Sequence, residues 1–132
     1  MTPDADNVVH DLHHPLILAG RVVGTPVFDR DGTRLGHIDE LSLEKKSGKA
    51  VYAIMSFGGF LGIGEKFHPV PWALLDYDVG RGGYVVPLTS EALKGAPHYE
   101  AAEIRALGGP EYRAYGDTIY GYYGTYGVTP YW

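Results

Sequence analysis

Short apolar runs separated by turn residues characterise the middle of the chain. They cover residues 21–28, 35–44, 50–57, 66–70, 74–79 and 84–88. Glycine-bearing turn sequences lie between several of these runs, and none of the runs continues into a long helical period. The run at 50–57 is the most hydrophobic, and its valine, tyrosine, isoleucine and phenylalanine side chains favour a strand. The pattern predicts a mainly β fold, a small antiparallel β-barrel of about six strands.

Three local features predict how this barrel is shaped. The spacing of the apolar positions changes from three residues to two around Asp39 and Glu40, which is typical of a β-bulge. Residues 80–83, with three glycines, predict a hairpin connection. Pro69 and Pro71 cannot donate ladder hydrogen bonds, so their strand is predicted to be short or to lie at an edge of the sheet.

After the last strand the sequence predicts a short helix. Thr89 or Ser90 is a suitable N-cap for a helix at residues 91–94, which Gly95 ends. A second short helical stretch is predicted at 100–107.

The end of the sequence is rich in tyrosine and glycine. Seven of the eleven tyrosines follow residue 111, and Trp132 comes last. Because helical spacing is not evident, we predict an extended, glycine-jointed aromatic tail. Three interpretations are open: a disordered end, packing across a barrel face or a neighbouring subunit, and stacking of the rings on single-stranded nucleic acid. The net charge of −2 over residues 95–132 disfavours the stacking on nucleic acid, because that mechanism also needs basic side chains that attract the phosphates.

Charge disfavours two classes of partner. The net charge is −5, and residues 21–94 are neutral, so the chain has no basic stripe for phosphates or an anionic membrane surface. We therefore expect no direct nucleic-acid binding. The sequence lacks a run of about 18 apolar residues, which predicts no membrane insertion. Cysteine is absent, which excludes disulfides and suits a reducing cytoplasm, the predicted location.

Histidines and carboxylates suggest no chemistry. His10, His13 and His14 have a spacing that could hold zinc on a helix, but they lie in an acidic segment that we interpret as solvated. His37 and His68 fall within predicted strands and are interpreted as hydrogen-bonded wall residues. The aspartates flank turn signals, and Gly-x-Ser-x-Gly and His-Glu-x-x-His are absent. We predict no enzyme and no catalytic residue, and separately no cofactor or metal site.

The glycine-rich segment at 58–64 has three interpretations. It lacks the Gly-Lys-Ser/Thr that opens a helix in phosphate-binding loops, which disfavours phosphate. It is a simple connection between strands, or its Phe60, Leu61 and Ile63 side chains form an apolar tip that contacts a partner or a second copy. Trp72 is interpreted as a core anchor because it brings a large apolar area to a small barrel.

Several of these segments together resemble the PRC-barrel family, which also occurs in the photosynthetic reaction-centre H subunit and in a ribosome maturation factor. The resemblance covers residues 15–99 and is carried by residues 27–32, 35–36, 48–53, 56–66, 70–72, 83–86 and 96–99. It implies an SH3-like barrel that docks to other proteins, and the family offers no catalytic signature. We accordingly divide the chain into an acidic flexible segment (1–14), a barrel (15–99) and a Gly/Tyr-rich extension (100–132).

The combined prediction is a non-enzymatic adaptor that docks another protein and self-associates, with a dimer favoured. Its predicted contact residues are Phe60, Leu61, Ile63, Tyr120, Tyr122, Tyr123, Tyr126, Tyr131 and Trp132. The alternative is an accessory protein for RNA processing or ribosome maturation, which the family resemblance alone suggests.

Overall fold

A computed structural model describes residues 15–57 and 66–132 of the chain. The strands are β1 (Pro26–Phe28), β2 (Arg34–Leu43), β3 (Ala50–Phe57), β4 (Lys66–Pro71), β5 (Asp76–Asp78) and β6 (Gly83–Val85). The helices are α1 (Ala19–Val22), α2 (Ser90–Lys94), α3 (Ala101–Ile104) and α4 (Tyr112–Tyr123). Short 3-10 turns cover Trp72–Leu74, Arg105–Gly108 and Gly124–Tyr126. Within the described ranges, no helix is long and apolar enough to cross a membrane.

The six strands form one mixed sheet in the order β4-β3-β2-β1-β6-β5. Neighbouring strands run antiparallel except β1 and β6, which pair in parallel. In the part of the chain that the structure describes, β4 and β5 do not pair with each other, so the sheet stays open. The mainly β fold with six strands is confirmed. The prediction of a closed and wholly antiparallel barrel is wrong.

The backbone at the outer edge of β4 explains why the sheet does not close there. The Phe67 N–H donates to the Tyr99 carbonyl oxygen at 3.0 Å, and the Tyr99 N–H donates to the Phe67 carbonyl oxygen at 2.9 Å. Pro69 and Pro71 carry no N–H that could pair with another strand. A later part of the chain therefore occupies this edge, and the predicted edge position of the proline-bearing strand is confirmed.

The other local predictions for the barrel region are also confirmed. The β2–β3 register shifts between Ile38 and Glu40, as a bulge requires. Strands β5 and β6 pair as a hairpin. Helix α2 is capped by Thr89 rather than Ser90, because the Ala92 N–H donates to the Thr89 hydroxyl oxygen at 3.1 Å.

The tyrosine-rich region is helical, so the prediction of an extended tail is wrong. Helix α4 buries Gly116, Ile119, Tyr120 and Tyr123, which follow the i, i+3, i+4, i+7 spacing of one helix face. A glycine at a buried face position conceals this period in the sequence, because glycine is not counted among the apolar side chains. The short helical stretch predicted at 100–107 is confirmed by α3 and the 3-10 turn that follows it.

The core lies on both faces of β3, whose residues are all buried except the two at its ends. Successive side chains of a strand point to opposite faces. On one face Met55 pairs with Ile38 of β2, and both are fully buried. On the other face the Tyr52 ring contacts Tyr120 of α4, with ring centroids 5.9 Å apart. Trp72 packs half-buried against this core, in agreement with its predicted role as an anchor.

Candidate functional site

Two groups of residues singled out in the sequence lie outside the described residues. They are the apolar loop residues Phe60, Leu61 and Ile63 and the histidines His10, His13 and His14. The role of the loop as a contact surface stays a prediction.

Three of the predicted contact tyrosines lie within the fold. Tyr123 is fully buried, and Tyr120 is 8% exposed. Tyr122 is half-buried, and its hydroxyl donates to the Ala92 carbonyl oxygen of α2 at 2.6 Å. These side chains hold α4 against the rest of the molecule, so a partner could contact them only at their edges.

The other three predicted contact residues reach the surface. Tyr126, Tyr131 and Trp132 are 38%, 39% and 39% exposed. The Tyr131 and Trp132 rings touch each other with centroids 5.0 Å apart. Two of the three therefore form one continuous aromatic surface.

Two residues of α4 complete this surface, although the sequence did not single them out. Tyr112 is 38% exposed and meets the Trp132 ring edge-on at 6.4 Å. The Arg113 guanidinium lies over the Trp132 ring, 5.0 Å from its centroid, in a cation–π arrangement. We call Tyr112, Arg113, Tyr131 and Trp132 the aromatic patch. The spacing of Tyr112, Gly116 and Tyr120 by four residues is the sequence signal that could have revealed this face of a helix.

The aromatic patch lies on a groove that a glycine creates. A Cβ on Gly116 would overlap the far edge of the Trp132 ring and lie 3.4 Å from the Tyr52 hydroxyl oxygen. The Trp132 ring also meets Tyr120 edge-on, with centroids 5.8 Å apart. We call Tyr52, Gly116 and Tyr120 the Gly116 groove. Its floor is helix backbone, and its walls are two aromatic rings.

Burial raises the pKa of three tyrosine hydroxyls in this region, those of Tyr52, Tyr120 and Tyr131. Burial, and then the neighbouring Tyr131, raises the pKa of Tyr120 to about 12. The pKa of Tyr52 is raised further, mainly by burial. The pKa of Tyr131 is raised by burial and by Tyr112, against the opposing effect of Arg113. The rings of Tyr52, Tyr120 and Tyr131 therefore present uncharged aromatic faces, with the Arg113 cation and the Glu44 carboxylate close to Tyr131.

A second polar cluster lies on β2 and β3 and does not form a catalytic triad. The His37 Nε2 lies 3.0 Å from the Asp39 Oδ1, and the Ser56 hydroxyl donates to the other Asp39 oxygen. A serine nucleophile must instead donate its proton to the histidine. Ser56 is also 6% exposed. The carboxylate binds both neighbours, so this arrangement connects two strands.

The buried His68 ring lies beside the exposed His98 ring, with centroids 5.4 Å apart. The His68 Nδ1 has no hydrogen-bond partner among the described residues, so the predicted hydrogen bond of this wall residue is not seen at that atom. His37 does have its predicted hydrogen bond. Burial, and then the charge of His98, lowers the pKa of His68 to about 4. In the described ranges, no three histidine, cysteine or acidic side chains are grouped so that they could hold a metal ion.

Comparison with known families identifies the barrel region. The family model of the PRC-barrel domain matches residues 15–93. The chain belongs to the PRC-barrel domain family. A structure from Pseudomonas aeruginosa described as a putative 16S ribosomal RNA processing protein, RimM, is similar at 20% identity and a TM-score of 0.36. The similarity covers 61% of this chain and 48% of that one, so this chain spans about half the length of that protein. No curated protein matches the chain.

The aromatic patch lies beyond the PRC-barrel match. Helices α3 and α4 and the residues after them all follow residue 93, where the match ends. Tyr52 is the one member of the Gly116 groove that the matched region contributes. The site is therefore formed where an additional helical segment packs on the PRC-barrel sheet.

Proposed function

We propose that this PRC-barrel protein is a non-enzymatic module that docks another protein through its aromatic patch. The observation that supports the proposal is the grouping of Tyr112, Arg113, Tyr131 and Trp132 on one surface. Tryptophan, tyrosine and arginine are the residue types that contribute most to binding energy at protein interfaces. Four such side chains in contact form a candidate centre for an interface.

The packing of the aromatic patch lowers the entropic cost of binding. Each ring of the patch already contacts another ring, so little rotamer freedom remains to be lost on association. The Arg113 guanidinium is exposed and held over Trp132, where it can also pair with a carboxylate. We therefore expect a partner with an apolar surface beside an acidic side chain.

Self-association, a cytoplasmic location and the loop of Phe60, Leu61 and Ile63 as a second contact belong to the same proposal. They rest on the sequence. A dimer would place two aromatic patches in one particle, which strengthens binding to a partner with repeated sites through effective concentration.

The test is affinity capture from the source cell with the full chain as bait. Truncation after Tyr99 is unsuitable, because it would remove Ile119, Tyr120 and Tyr123 from the core. The bait variant is instead Y112S together with R113S, whose natural side chains are both exposed at the start of α4.

The matched control is Y77S, which removes another exposed tyrosine, on β5 and outside the patch. Loss of two interface residues of these types predicts at least about a tenfold lower recovery of the specific partner. The control is expected to recover it fully. Equal recovery by both baits would place docking on a different surface.

A second candidate is an accessory role in ribosome maturation. It rests on membership of the PRC-barrel family. A ribosome maturation factor also contains this domain, as noted with the sequence resemblance. This role would be a case of docking in which the partner is a ribosomal protein. Co-sedimentation of the full chain with ribosomal subunits tests this role. We expect the natural chain to sediment with the subunits and the Y112S/R113S variant not to do so. A natural chain that stays in the supernatant at low salt would contradict the role.

A further inference from the structure

The residues after the last 3-10 turn return across α4 as a distinct segment. Gly127, in the left-handed region at φ 87°, ends the turn and redirects the chain. Residues 128–132 then run as irregular backbone, and their last two rings lie on the Gly116 groove. We call residues 128–132 the aromatic segment.

The aromatic segment contacts the fold through the rings of Tyr131 and Trp132 and through Val128, which packs half-buried against the core. Tyr131 meets Tyr52 edge-on at 6.4 Å and lies 6.5 Å from Tyr120. Trp132 contacts Tyr120 and lies over Gly116. Both rings remain about two-fifths exposed. The segment thus contacts the groove in the way that a bound peptide would, although it is part of the same chain.

The walls and floor of the Gly116 groove belong to β3 and α4 and not to the aromatic segment. Its two walls, Tyr52 and Tyr120, contact each other directly and are anchored in β3 and α4. Its floor depends on the missing side chain of Gly116 and not on the segment. A preformed site of this kind can bind the same rings from any source that can reach it.

We propose that the Gly116 groove is a binding site for a Tyr-Trp peptide segment, filled here by the chain's own residues and open to the same segment of a second copy. Each copy would then place Tyr131 and Trp132 in the groove of the other, which gives a segment-exchanged dimer. The proposal rests on the self-association in the proposed function and adds its physical basis.

Exchange needs little new structure. The contacts between segment and groove are the same within one copy and between two copies, so only the covalent tether is given up. Once Val128 leaves the core, the four residues 127–130 can span about 13 Å when extended, which lets the segment leave its own α4. A short tether supplies an effective concentration on the order of millimolar, so closed monomers dominate in dilute solution and exchange grows with protein concentration.

Two single variants of the full chain separate the groove from the segment. Gly116→Ala fills the groove and releases an intact segment, and it favours the helix because alanine replaces glycine. Trp132→Ala removes the main ring and leaves the space over Gly116 open. Neither variant alone offers both a Trp132 ring and an open Gly116, but the segment of the first fits the groove of the second.

The experiment is an NMR titration of isotope-labelled W132A with unlabelled G116A. We expect saturable shifts of the amides of Tyr52, Gly116 and Tyr120. The double variant G116A/W132A, which offers neither the Trp132 ring nor an open Gly116, is expected to give none. G121A, used as the unlabelled titrant in place of G116A, is the matched glycine control, since a Cβ on Gly121 of the same helix meets no described atom. The aromatic segment of G121A stays in its own groove, so we expect shifts of the W132A amides that are several-fold smaller.

The outcomes separate this proposal from the proposed function. No saturable shift, or shifts away from the groove, would overturn segment exchange. Docking of another protein through the aromatic patch would be unaffected by that result, because the affinity capture with Y112S/R113S tests it separately. Should G116A fail to fold, a synthetic peptide of residues 128–132 replaces it as titrant, with a Trp-to-Ala peptide as control. Equal shifts with both peptides would likewise contradict the proposal.

Discussion

Tyr122 and Tyr123 are neighbours on α4 with opposite hydrogen-bonding environments. The Tyr122 hydroxyl donates to the Ala92 carbonyl oxygen at 2.6 Å and so joins α4 to α2. The Tyr123 hydroxyl is buried without a hydrogen-bond partner among the described residues. A buried polar group that lacks a partner lowers stability, whereas a satisfied one contributes about 1 kcal/mol.

Replacing each of these tyrosines by phenylalanine should therefore change stability in opposite directions. Tyr123→Phe removes an unpaired hydroxyl and is expected to raise the free energy of unfolding by about 1 kcal/mol. Tyr122→Phe removes a hydrogen bond and is expected to lower it by about 1 kcal/mol. Chemical denaturation of the two full-length variants checks this. A loss of stability in Tyr123→Phe would show that its hydroxyl has a partner.

His68 links the stability of the fold to pH. Its pKa of about 4 lies below the ordinary value of 6.5, mainly because of burial and secondarily because of His98. The unfolded chain therefore binds the proton more tightly than the folded chain. The contribution of neutral His68 to the free energy of unfolding is fully present above the ordinary pKa of 6.5. It is lost as the pH falls towards the pKa of about 4 in the folded chain.

The His68→Gln variant isolates this effect because glutamine does not titrate. Between about pH 7 and about pH 5, the unfolding free energy of the natural chain should fall about 2 kcal/mol further than that of the variant. His98→Gln removes only the smaller cause and should reduce the loss by less. Denaturant midpoints at several pH values measure it, and parallel curves for natural chain and His68→Gln would contradict the assignment.

At the scale of the elements, β2 and β3 leave no room for a side chain at Gly36. Gly36 pairs with Phe57, and a Cβ at this position would overlap the Ser56 carbonyl oxygen of the neighbouring strand. Because that atom belongs to backbone within a buried strand, it cannot move aside cheaply. The glycine is thus required by the close packing of the two strands.

Gly36→Ala is accordingly expected to destabilise the fold by about 3 kcal/mol. The control is Gly20→Ala on α1, where a Cβ meets no described atom, and it should leave stability unchanged or slightly higher. Thermal unfolding of both variants provides the measurement. Similar melting temperatures for the two would mean that β2 and β3 are spaced more widely at this point.

The elements differ in how well the sequence predicts them, for physical reasons. The β2 bulge, the α2 cap and the 80–83 hairpin depend on nearby residues, so local patterns reveal them. Helix α4 escapes the same method because Gly116 and Gly121 lower its helical propensity while packing on the sheet supplies its stability. Its apolar face becomes apparent only when a glycine is accepted as a core residue.

The whole-molecule arrangement was predicted least well. The parallel pairing of β1 with β6 joins strands far apart in the sequence, and no local pattern specifies it. The candidate site has the same origin. Composition points to Tyr131 and Trp132, but Arg113 and the Gly116 groove belong to the site only because α4 places them against the Trp132 ring.

The central claim at this scale is that the tyrosine-rich region completes the folded core and thereby displays the aromatic patch. Hydrogen–deuterium exchange of the full chain tests it most directly. The claim predicts that the amides of Ile119, Tyr120 and Tyr123 are protected to within about tenfold of the buried amides of β3, because both belong to one cooperative unit. Exchange of these α4 amides at unstructured rates, with β3 still protected, would contradict it.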